Sequence, residues 1–154
     1  MLTNLQATTF GQYGNGKDKH ANARQVASKL FDKMHSRGVR NQVLAKLAGK
    51  ANKLQTLSRR PAASRRTTKT VVVPLAKIVG TEGRSDDFDA KFNPLKRHNR
   101  ERWIGIVAAR QTGVTLPAVD LVRDGNKYFV RDGHHRISAA KAMGQLEIEA
   151  RIIN

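Results

Sequence analysis

The stretch Val130-Arg131-Asp132-Gly133-His134-His135-Arg136-Ile137-Ser138-Ala139-Ala140 carries a strand into a helix through a glycine. Upstream, Tyr128-Phe129-Val130 has the aromatic and β-branched residues of a strand. Downstream, the pattern from about Arg136 to Met143 is helical, and Gly144 stops it. Amides at a helix start have no partner within the helix, and the macrodipole puts positive potential there. Arg136 adds a planar fork for oxyanions, and His134 and His135 can donate when protonated. A phosphate, or the anionic tail of a nucleotide, suits such a turn. The competing reading is a tight turn capped by Asp132, with the histidines covering an edge. Two adjacent histidines followed by arginine favour the anion site.

The flanking segments give the order strand, helix, strand, strand, turn, helix, strand. Val71-Val72-Val73 is a short buried strand ended by Pro74, and residues 75–79 suit a helical turn. Residues 80–96 are loop-like. Residues 97–112 form an amphipathic helix anchored by Trp103, Ile106, Val107 and Arg110 and ended by Gly113. Pro117 to Val122 is a strand, Asp124-Gly125-Asn126 a hairpin turn, and Glu147 to Ile153 a last alternating strand.

Charge divides the chain. Of its 154 residues, 29 are Lys or Arg and 12 Asp or Glu, a formal net of +17. Residues 1–70 hold 15 basic and 2 acidic residues; residues 71–154 hold 14 and 10. An unbalanced cationic half is drawn to polyanions, nucleic acid above all. The absence of cysteine removes disulfides, thiolate metal sites and thiol nucleophiles. No apolar run is long enough to span a membrane, and Met1 to Phe10 does not read as a secretory signal, so a cytoplasmic protein is expected.

Residues 1–18 read as a flexible N-terminus and 19–57 as a basic helical hairpin, broken at Gly38 and closed by Gly49. Residues 58–70 read as a linker whose Arg59, Arg60, Arg65 and Arg66 can meet phosphates. Residues 71–154 form the α+β domain. Gly11 to Lys17 nearly spells a P-loop, but Asp18 stands where Ser or Thr is needed. His20, His35 and His98 read as surface residues.

From Val73 to Ile152 the chain resembles the ParB amino-terminal domain and the sulfiredoxin-like fold. The resemblance rests on Val73-Pro74-Leu75 with Ile78, the helix ending at Gly113, Leu116-Pro117, the hairpin to Val130, Gly133-x-x-Arg136 and the Met143-Gly144 helix end. The strings Val79 to Arg84, Asp87-Phe88-Asp89, Arg100 to Trp103 and the Asp-Gly-His-His-Arg turn are similar to small bacterial ParB-like proteins with a basic helical front. The resemblance implies a small mixed-sheet domain that binds a nucleoside triphosphate, CTP or ATP with Mg²⁺, on or near DNA. It also implies phosphate contacts from Arg84, Asp132, Gly133, His134, His135, Arg136 and Ser138, with Glu82, His134 or His135 as acid or base. Hydrolysis of a nucleotide, phosphodiester cleavage, phosphotransfer to a small molecule such as free serine, and non-enzymatic DNA binding all stay open. His134 stands where sulfiredoxin has its cysteine, which removes the reductase chemistry.

Three further groups remain. Glu82, Asp86, Asp87 and Asp89 are either a Mg²⁺ set or a solvated acidic loop. Trp103 reads as a core anchor rather than a base-stacking platform. Arg100 and Arg102 flank it and point toward the phosphate side, Arg100 as a nucleic-acid contact.

Overall fold

The computed structural model describes residues 16–57, 66–83 and 86–153. The first element is one helix, α1 (Gly16–Leu47), not a hairpin. Its buried residues Ala23, Ala27, Phe31, Met34 and Gly38 recur at helical spacing. Gly38 does not break it, because the glycine serves close packing. A Cβ there would lie 3.1 Å from Asn93 Cβ and 3.2 Å from Leu95 Cδ2. The helix ends where expected: Gly49 is left-handed (φ 65°), with Gly49 N–H donating to Lys46 O and Lys50 N–H to Ala45 O.

Then follow β1 (Gln55–Thr56), β2 (Arg66–Pro74), a 3₁₀ turn (Leu75–Lys77), β3 (Ile78–Thr81) and a second 3₁₀ turn (Arg97–Asn99). They are succeeded by α2 (Arg100–Gln111), β4 (Val119–Asp124), β5 (Lys127–Asp132), α3 (His134–Ala142) and β6 (Glu147–Ile153). The described residues thus make a mixed α+β fold with three α-helices and one six-stranded sheet ordered β1-β3-β5-β4-β6-β2. The β4–β5 hairpin turns at Gly125 (φ 57°) and pairs Asp124 with Lys127. β6 lies parallel to β4 and antiparallel to β2.

Three differences from the sequence reading have simple causes. Residues 66–70, assigned to the linker, extend β2 along β6, since Thr70 pairs with Arg151. Ile78 to Thr81, divided between a helical turn and a loop, is an inner strand parallel to both β1 and β5. Gly80 lets β1 approach: a Cβ there would sit 2.1 Å from Gln55 O. Asp89 is neither solvated nor a metal ligand. It is fully buried and accepts from the amides of Lys91 (2.9 Å) and Asn93 (2.8 Å) and from the side chains of Asn93 and Asn41. This latch holds Phe92 at φ 64°, a conformation a bulky residue rarely adopts.

The core has two main parts. One lines a sheet face beneath α3, with Val119, Leu121, Val130, Ile137 and Ala150. The other joins the helices, with Phe31 and Trp103 edge-to-face at 5.5 Å. Such a pair adds about 0.5–1.5 kcal/mol beyond the area it buries. Trp103 is therefore the expected anchor, and its indole N–H donates to Ser138 Oγ at 2.9 Å. His35 also packs, stacked on Phe31 with Nδ1 3.1 Å from Pro94 O, so it is not a surface residue.

Candidate anion site

β5 delivers Arg131 and Asp132 to the rim of the sheet, and Gly133 turns the chain into α3. Gly133 is left-handed (φ 102°, ψ 21°), and a Cβ there would meet Val119 Cγ1 at 2.5 Å. Both the backbone and the space therefore demand glycine. No side chain caps α3, so Asp132 is not the helix cap. The amide of Ile137 is the one that reaches Gly133 O (3.0 Å). The amides of His134, His135 and Arg136 lie ahead of the helix's own ladder. A cleft of about 380 Å³ opens there, walled by Phe88 and Asp87 on one side and by Arg102 and Ile106 of α2 on another.

Arg136 does not project into this cleft as a free fork. Its guanidinium donates to Pro117 O and to Ala118 O (3.0 Å) and pairs with Asp132 Oδ2 at 2.6 Å. Only 15% of the side chain is exposed. It clamps the turn to the approach of β4. Of the three arginines that line the cleft, Arg102, exposed on α2, is the one without a carboxylate partner among the described residues. Its place in an exposed helical position beside Trp103 was the only signal in the sequence.

Glu82 is not poised as a general base. Both of its oxygens accept from Arg131, one at 2.8 Å, and this hydrogen bonding raises the Arg131 pKa above the ordinary arginine value. A bidentate guanidinium partner holds both oxygens and makes the carboxylate a weaker base than a free one.

The two histidines differ. His134 Nε2 lies 2.7 Å from Thr81 Oγ1, which also accepts from Gly83 N–H (3.1 Å). The Thr81 hydroxyl donates to Val130 O at 3.4 Å. His135 packs edge-on against Phe88 at 5.3 Å, and its buried Nε2 has no partner among the described residues. Burial first, then the charges of Arg102, His134 and His98 working against Asp87, push its pKa down to about 4. His135 is neutral at pH 7 and is not the cationic donor its sequence suggested.

Two further residues leave the binding set. Ser138 is 2% exposed and is taken by Trp103; four residues into α3, it faces α2 rather than the cleft. Arg100 is tied between α1 and α2, where it donates to Ser28 Oγ and Glu101 Oε1, lies 3.6 Å from Asp32 and covers the Phe31 ring. It is not a free nucleic-acid contact. Arg84, Arg59, Arg60 and Arg65 lie outside the described residues, as does the Arg66 side chain.

The acidic residues do not converge. Asp86 faces Lys53 at 3.7 Å and Asp87 faces Lys96 at 3.3 Å, while Asp89 is enclosed. No group of three potential metal ligands occurs among the described residues, and none of their helices is long and apolar enough to cross a membrane. Compared with protein-family models, curated proteins and solved structures, the chain shows no match.

Proposed function

We propose that the chain is a ParB-like protein that binds a nucleotide phosphate at the start of α3 and works on or beside DNA. The observation that carries this reading is Arg102, a guanidinium without a carboxylate partner among the described residues, on the cleft that also takes in the uncapped, glycine-opened start of α3. His134, His135, Arg136 and Arg102 line one cleft, a combination of helix start and guanidinium that suits oxyanion recognition. The strand–turn–helix–strand order from β5 to β6 agrees with the ParB/sulfiredoxin-like arrangement expected from the sequence.

In this reading the His134–Arg136 amides and Arg102 hold the phosphates of CTP or ATP. Arg136 and Asp132 keep the turn in shape. The carboxylates near the cleft do not fit a protein-held Mg²⁺, because Glu82 is chelated by Arg131 and Asp87 is bridged to Lys96. His134, hydrogen-bonded to Thr81, is the remaining candidate for proton transfer.

The phosphotransferase reading loses its base with Glu82. A non-enzymatic DNA-binding role keeps one supporting observation, the +17 charge. Crystals soaked with CTP, ATP and Mg²⁺, and separately with phosphate, test the proposal. Density against the α3 amides and Arg102 supports it. Its absence for every ligand rejects it.

A further inference from the structure

We infer that the solvent face of α1 is the nucleic-acid contact of this protein, and that it binds the phosphate backbone without reading bases. The inference refines the DNA-associated reading above, but it rests on different residues from the cleft.

The charge of α1 is lopsided: eight Lys or Arg against two Asp. One side of the helix is fixed to the domain by Ala23, Ala27, Phe31, Met34 and Gly38. Its flank is fixed by ion pairs to α2, Arg24 to Glu101 at 2.7 Å and Asp32 to Arg100 at 3.6 Å. These contacts use the carboxylate in the middle of the helix. What is left outward is Lys29, Lys33, Arg37 and Arg40, all exposed and without a carboxylate partner among the described residues.

Their spacing of four, four and three residues puts them in one ridge. At 1.5 Å per residue the ridge runs about 16 Å. Like charges so placed repel one another. Duplex DNA presents about one negative charge per 1.7 Å of axis, so a ridge of this length faces several phosphates at once.

Beyond the ridge the helix exposes Val39, Val43, Leu44 and Leu47. These are aliphatic, with no aromatic side chain to stack on bases. The ridge also lacks the aromatic anchors of a membrane-surface helix. Phosphate contact without sequence preference is what this surface supports. It replaces Arg100, which the fold has tied down, as the basic element presented to DNA.

The test measures binding of the full chain to a labelled duplex of arbitrary sequence across a salt series, beside the variant K29Q/K33Q/R37Q/R40Q. The wild type should show a steep loss of affinity with salt. The variant's slope should be shallower by about 3 to 4, since each phosphate contact contributes about 0.9. Where the quadruple variant does not fold, the single glutamine variants serve, each lowering the slope by about 0.9. The charge-keeping variant K29R/K33R should retain the wild-type slope. Unchanged slope and affinity in folded glutamine variants would overturn the inference. So would tighter binding to anionic phospholipid vesicles than to the duplex. Phosphate binding at the cleft is measured in parallel. Ridge variants keep it and Arg102→Ala weakens it about tenfold, so failure of one site is distinguishable from failure of the other.

Discussion

Ser138 accepts the indole N–H of Trp103 at 2.9 Å, with both side chains sealed from solvent. The pair stitches α3 to α2 and so holds the first turn of α3 against the wall that carries Arg102. Ser138→Ala leaves a buried indole N–H without an acceptor, which costs about 1–3 kcal/mol. Urea unfolding should show a lower midpoint at unchanged slope. Phosphate affinity in the folded variant should equal that of the wild type. Loss of affinity at full stability would return Ser138 to the binding set.

Asp89 is a structural latch rather than a metal ligand. Asp89→Ala removes the acceptor for four donors and releases Phe92 from its left-handed turn. The expected cost is about 3 kcal/mol or more, read by thermal or urea unfolding. Mg²⁺ should leave the wild-type Tm unchanged. A rise in Tm with Mg²⁺ that Asp89→Ala abolishes would show a cation at this loop.

Two helical glycines should respond oppositely. Nothing lies within 4 Å of a Cβ built on Gly105, so Gly105→Ala should stabilise α2 by about 0.5–1 kcal/mol. Gly38 already faces Asn93, Pro94 and Leu95 at close range. Gly38→Leu should cost about 1–3 kcal/mol by overpacking. Equal effects in chemical denaturation would contradict the packing of α1 against the 93–95 segment.

His135 links stability to pH. Its folded pKa of about 4 lies below the ordinary 6.5, so the unfolded chain binds the proton first as pH falls. The contribution is fully present above about pH 6.5 and is lost progressively toward pH 4. His135→Gln should flatten this part of the stability profile. A His135 imidazole seen by NMR to titrate near 6.5 would refute its burial.

Much of the fold was legible where a local rule decides it. Gly49, Gly113 and Gly144 end α1, α2 and α3 in left-handed conformations, as glycine past a helical pattern predicts. The β4–β5 hairpin and the strand into α3 follow equally local signals. Gly38 misled because a glycine in a helical pattern is also how a helix admits a close neighbour. β3 was hidden because Ile78-Val79-Gly80-Thr81 is short, and its pairing with β1 and β5 is long-range. At the site, the glycine turn and its amides were readable. The loss of Arg136 to carbonyls of 117 and 118, and of Ser138 to Trp103, was not, because both partners come from other elements. Arg102 was readable only as a flank of the anchor residue.

The most direct measurement follows the backbone amides of His134, His135 and Arg136 by NMR while inorganic phosphate, CTP or ATP is added. The phosphate-site account predicts that these amides shift first and most. It further predicts that Arg102→Ala weakens the response by about tenfold, the worth of one charge-assisted hydrogen bond. Amides that stay still with all three ligands, or that shift equally without Arg102, would contradict it.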